Sequence, residues 1–167
     1  LRGNHEARVK TVIDKNPDGW ETISKYDGSI LVEKEFPHIE YLADVPAVYN
    51  FKSYKTLSLP GAYSVDKYYR LARHLTWYED EQLDEKEMEL GRKLCRNEAP
   101  FDLVLSHTCP YLYEPTDLFL AGLDQSTVDS TMERYLGEIE FNLDYKRWPL
   151  DIFMPTGCIH GLMADRC

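Results

Sequence analysis

The chain has 167 residues, 43% hydrophobic and 13% aromatic, with 19 Lys and Arg against 29 Asp and Glu for a net charge of −10. That apolar content supports one packed core and excludes a disordered chain, while the acidic balance argues against a surface built to hold nucleic acid phosphates. No run approaches the roughly 20 apolar residues of a membrane span and no signal segment opens the sequence, so a cytoplasmic chain with reduced thiols is expected from its four cysteines, which form no CxxC pair.

In chain order, Ala7 to Lys15 predicts a short helix stopped by the turn cluster Asn16-Pro17-Asp18-Gly19. The runs Ser29–Glu33, Ile39–Ala43, Ala47–Phe51 and Lys55–Leu59 then read as an antiparallel meander. Gly61 to Tyr78 is dense in aromatics. The acidic run from Glu79 to Glu89 reads as a solvated face, and Leu83, Leu90 and Leu94 mark a stripe on a helix over Leu83–Asn97. Phe101–Ser106 is a compact, largely apolar strand ending at His107, and Asp102-Leu103-Val104-Leu105 within it reads as central rather than peripheral. A second helix is expected over Val128–Leu143, with Val128, Met132, Tyr135, Leu136, Ile139 and Leu143 at helical spacing and Ser126 with Asp129 as a capping box. Strands and helices in this succession make one domain of α/β or α+β class.

Two loci carry chemistry. Gly3-Asn4-His5-Glu6 opens the chain, and Ser106-His107-Thr108 follows the central strand. Glycine allows a tight turn, an Asn amide oxygen is a hard neutral ligand, and imidazole serves metal ligation or proton transfer. Carboxyl ends of sheet strands are where α/β sites form. Tyr63, Lys67, Tyr69 and Arg70 read equally as a substrate pocket wall, with Lys67 or Arg70 meeting a phosphate, and as a packed aromatic loop. Arg8 is expected in a surface salt bridge, and His38 and His74 in structural roles.

Taken together and in order, these residues resemble the calcineurin-like metallophosphoesterase superfamily. Its third signature block is Gly-Asn-His-Glu/Asp and its fourth is a His after an apolar strand. Gly61–Arg70, Asp124–Asp129 and Leu143–Trp148 look like segments of a bacterial and phage branch of that family. The resemblance implies an α/β sandwich of two mixed sheets flanked by helices. It implies a centre of two divalent ions, Mn or Fe with Zn or Ni as further candidates, in which Asn4 and His107 ligate the second ion. His5 would stand against the phosphoryl group, hydrogen-bonding the substrate or protonating the leaving oxygen. Tyr63, Lys67 and Arg70 would line the substrate side. The implied partner is a phosphate mono- or diester, small or macromolecular, and nucleic acid is disfavoured by the charge.

The sequence departs from the family at three blocks. Asp-x-His and Gly-Asp-x-x-Asp-Arg-Gly, which would supply the first metal's ligands, belong before Leu1, so residues 1–148 are expected to be the later part of such a domain. Gly-His-x-His should follow Arg147-Trp148, where the chain instead reads Pro149-Leu150-Asp151-Ile152-Phe153. With a Leu150 codon ending in G and GAC, ATT and TTC for Asp151, Ile152 and Phe153, the neighbouring frame reads Gly-His-Phe-His. Residues 149–167 are therefore expected to be an out-of-frame or disordered tail, in which His160 is no ligand. A non-catalytic remnant without a complete metal site is the alternative reading. An exposed sheet edge is expected where leading strands would pair.

Overall fold

The computed structural model describes residues 1–114, 127–150 and 162–165. Helix α1 (Val9–Lys15) starts two residues past the predicted Ala7. Its first turn is capped from a distant segment, because Asp44 Oδ2 accepts from the amides of Val9 at 2.6 Å and Lys10 at 3.4 Å. Strands β1 (Trp20–Lys25) and β2 (Gly28–Glu33) form an antiparallel hairpin, joined by Tyr26 and Asp27, both at φ 58°. Positive φ at both positions gives the mirror-image turn whose twist suits the flanking strands. A short β3 (Glu40–Tyr41) completes a three-stranded sheet in the order β1-β2-β3.

The expected meander stops there. Strands β4 (Ala47–Phe51) and β5 (Tyr54–Leu59) pair with each other in a second sheet. The break falls at Asp44-Val45-Pro46, where Asp44 is drawn to α1 and Pro46 has no amide to donate. Tyr49 of β4 fastens the two sheets together. It packs with Ile30, Val32 and Leu42, donates its hydroxyl to Ser29 O at 3.2 Å and accepts from the Ala43 amide at 2.9 Å.

The second sheet runs β4-β5-β6-β7-β8, with β6 (Phe101–Ser106), β7 (Tyr145–Leu150) and β8 (Leu162–Asp165). β5, β6 and β7 are mutually parallel, while β4 and β8 pair antiparallel at the two edges. β6 is central, as its apolar run predicts. Where two mixed sheets were expected, one is mixed and the other antiparallel, since its hairpin link is too short for a parallel crossover. The fold is α/β among the described residues.

Among the described residues three α-helices follow the first: α2 (Lys67–Ala72), α3 (Glu85–Glu98) and α4 (Thr131–Asn142). Met88 of α3 and Met132, Tyr135, Leu136 and Ile139 of α4 pack with Leu57, Leu59, Phe101, Val104 and Trp148 from the sheet. The predicted stripe on α3 is met in part: Leu83 is buried but lies ahead of the helix, Leu94 packs against the core, Leu90 is exposed, and Met88 and Gly91 face inward. Gly91 is needed there, since a Cβ would stand 1.9 Å from the Tyr135 hydroxyl. α4 begins three residues later than predicted. Asp129 Oδ1 accepts from the Thr131 amide at 2.9 Å, and Ser126, the other half of the expected capping box, lies outside the described residues.

Pro149 and Leu150 belong to β7 and residues 162–165 to β8, whereas 151–161 and 166–167, with His160, Cys158 and Cys167, lie outside the described residues. Cys95 and Cys109 are free thiols, each pushed up to about 11 by burial. Among the described residues no helix is long and apolar enough to cross a membrane.

Candidate functional site

The register Leu59↔Ser106 aligns the carboxyl ends of parallel strands β5 and β6, and the loops that leave them meet the opening turn. His107 follows β6 directly. The β6 end is fixed from behind by a buried relay in which Trp148 Nε1 donates to Ser106 Oγ at 2.8 Å and that hydroxyl donates to Thr108 O at 2.6 Å. Thr108 Oγ1 in turn donates to Glu133 Oε1 on α4 at 2.7 Å.

Each residue of the opening motif has a separate task. Gly3 leaves room for His107, since a Cβ there would lie 2.8–3.1 Å from three atoms of the imidazole. Its amide donates to Glu6 Oε2 at 2.8 Å, so the Glu side chain closes the turn on itself. The Asn4 amide is oriented by what its nitrogen can reach. Nδ2 donates to Ser64 Oγ at 3.3 Å and Tyr63 O at 3.4 Å, which turns Oδ1 toward His107 Nε2 at 3.1 Å.

Ser64 is itself held. Its amide at 2.8 Å and its hydroxyl at 2.5 Å both donate to Glu81, a residue only 2% exposed. Buried Arg2 donates to Glu81 O at 2.9 Å and ion-pairs with Asp44 at 3.4 Å. Gly61, at φ +88°, lets the loop pass Glu81, whose carbonyl would stand 2.6 Å from a Cβ. Arg8 grips Glu87 through two nitrogens, at 2.6 and 3.0 Å, and reaches Asp80 at 3.3 Å. The pair expected at the surface is largely enclosed, with 15% of the Arg8 side chain exposed. The acidic run is likewise not a uniformly solvated face. Residues 79–84 are a loop beneath the Gly61–Ser64 segment, with Glu81 turned inward.

His5, next to Asn4 in the chain, has 47% of its side chain exposed. Asp66 Oδ1 is 3.2 Å from its Nε2, and Arg70 Nη2 is 3.0 Å from its Nδ1. Arg70 also donates Nε to Asp66 Oδ2 at 2.9 Å and Nη1 to Thr76 O at 2.8 Å, which closes the three side chains into a ring. Of the expected substrate-side residues, Arg70 therefore joins His5 and Tyr63 touches Asn4 through its carbonyl. The Lys67 ammonium stands 4.1 Å above the Trp77 ring. Ser64, Asp66 and Glu81 are the site residues that the sequence reading missed. Glu81 has no local signature that separates it from its acidic neighbours.

Imidazole nitrogen and amide oxygen together suit a borderline divalent ion. As it stands the 3.1 Å contact is a hydrogen bond in which His107 Nε2 donates to Asn4 Oδ1, and loss of that proton would leave both atoms as donors that one ion could take. The pair fits a metal as a partial donor set. Among the described residues no group of three His, Cys, Asp or Glu could hold an ion by itself. A cleft of about 490 Å³ lined by Arg2, Glu6, Val9, Trp20, Tyr41 and Leu42 includes none of Asn4, His5, Arg70 and His107. Comparison of the chain with protein-family models, curated proteins and solved structures returns no match.

Proposed function

We propose that the chain is the later part of a metal-dependent phosphoesterase of the calcineurin-like kind, a hydrolase of phosphate mono- or diesters whose intact fold is a two-sheet sandwich. The observation that carries this reading is the convergence of Asn4 Oδ1 and His107 Nε2, 103 residues apart in the chain, to 3.1 Å at the carboxyl ends of parallel strands. Asn4 and His107 would hold one of two divalent ions, Mn or Fe with Zn or Ni as alternatives. Bound there, such ions supply Lewis-acid polarisation and a water activated at neutral pH. His5 faces the phosphoryl group, and Arg70 offers donors to its oxygens.

The absence of any three-residue His, Cys, Asp or Glu group among the described residues favours a second reading, a remnant that keeps the fold but lacks a complete metal site. Hydrolysis of an aryl phosphate with Mn²⁺ separates the two. It is measured on the chain and on a form restored with the two leading blocks and with Gly-His-x-His after Leu150. Activity of the restored form that falls at least about 100-fold in both Asn4→Ala and His107→Ala supports the enzyme. An inert restored form, tried with several metals on mono- and diesters, defeats it.

A further inference from the structure

Both nitrogens of the His5 ring are occupied, and by partners of opposite kind. A guanidinium has only donors, so the 3.0 Å approach of Arg70 Nη2 requires Nδ1 to be the acceptor and assigns the ring proton to Nε2. Asp66 Oδ1, at 3.2 Å, then accepts that proton's hydrogen bond. Asp66 and Arg70 are four residues apart on the α2 segment and are bonded to each other, so one short element grips the ring on both edges. As it stands, neither nitrogen is available to an incoming group.

We propose that Asp66 and Arg70 form a latch on His5 that an oxyanion opens at Arg70. The bond from Arg70 to Nδ1 ends on a neutral ring nitrogen, whereas one to a phosphate oxygen joins two charges and is roughly twice as strong. A phosphate oxygen that takes the Nη2 hydrogen now aimed at the ring displaces Nδ1, whereas one that took only the second Nη2 hydrogen would leave the latch closed. Arg70 remains anchored by Asp66 and Thr76 O, and Nδ1 is released beside the anion while Asp66 keeps Nε2 in place. Asp66 is a positioning residue, and Arg70 is the group that receives the oxyanion. The inference takes from the proposed function only the expectation that an oxyanion is the natural visitor.

Long-range proton–nitrogen NMR of the full chain labelled with ¹⁵N-histidine tests this, with inorganic phosphate as the probe and the His5 signals assigned by their loss in His5→Gln. Without phosphate, His5 is expected to carry its proton on Nε2, and phosphate is expected to shift Nδ1 saturably. In Arg70→Ala the preference for Nε2–H relaxes and phosphate binds at least about 10-fold more weakly. If Arg70→Ala fails to fold, Arg70→Gln, which keeps a donor without the charge, gives the same weakening. Lys86→Ala, an exposed position on α3, keeps the full response. A proton on Nδ1 in the unmodified chain overturns the latch, and so does a phosphate response that survives loss of the Arg70 charge. Because no turnover is read, an inactive enzyme with an intact latch counts against the hydrolytic reading alone.

Discussion

The ring of His107 lies beside the α-carbon of Gly3, in space that any other residue would fill. Gly3→Ala puts a Cβ about 2.8 Å from that ring, so the imidazole must move by several tenths of an ångström. We expect Mn²⁺ affinity to fall about 10–100-fold, the loss typical when a ligand's support is disturbed, while the variant still melts cooperatively. Calorimetric titration with Mn²⁺ checks this, and an unchanged affinity would mean that His107 is not held for a metal. Glu133 makes a different kind of prediction. Burial pushes its carboxyl above the ordinary range, against the Thr108 hydrogen bond that favours the charged form, and Glu114 and Asp129 add to the rise. A carboxyl with a raised folded value stabilises the fold fully below its unfolded value of about 4.3, and that contribution is lost as pH rises through the folded value. Glu133→Gln keeps an acceptor for Thr108 and removes the titration. Urea midpoints of the variant are therefore expected to gain on the unmodified chain as pH rises from about 4.3 toward neutrality. Equal pH dependence of the two would refute the assignment.

Individual elements differed in how openly the sequence announces them. β6 was legible because a central parallel strand reads as a compact, largely apolar segment, and α4 because Met132, Tyr135, Leu136 and Ile139 repeat at helical spacing. β1 was not. Trp20–Lys25 is mostly exposed and has little apolar alternation, and its turn uses Tyr26-Asp27, residues that seldom take positive φ together. α2 was hidden among aromatics that remain exposed, notably Tyr68 and Tyr69, so no buried stripe marks it. The start of α3 carried a signal that pointed to the right boundary. Asp84 Oδ1 accepts from the Glu87 amide at 2.8 Å, and Glu87 Oε2 from the Asp84 amide at 2.9 Å, a reciprocal cap. Asp84→Ala is expected to cost about 1 kcal/mol in urea unfolding. A loss below a few tenths would mean that the Arg8–Glu87 pair alone holds this end of the helix.

Across the whole molecule, the parallel strands β5, β6 and β7 bring distant stretches of chain to one edge, and the opening turn docks there through Arg2, Asn4 and Arg8. Asn4 and His107 were legible as chemistry, because their residue types and strand-end positions are local facts. What holds them was not. Ser64, Glu81 and Gly3 act through contacts that only folding creates, and no spacing in the chain encodes a buried carboxylate 17 residues beyond the serine it grips. The most direct test of a shared ion uses paramagnetic broadening. Substoichiometric Mn²⁺ is added to the chain while the Asn4 side-chain amide and the His107 imidazole are followed by NMR. Both signals are expected to broaden together, at the lowest metal concentrations, and each to be spared when the other residue is replaced by alanine. Broadening that leaves either signal untouched, or that persists at one after the other is removed, would contradict a common metal site.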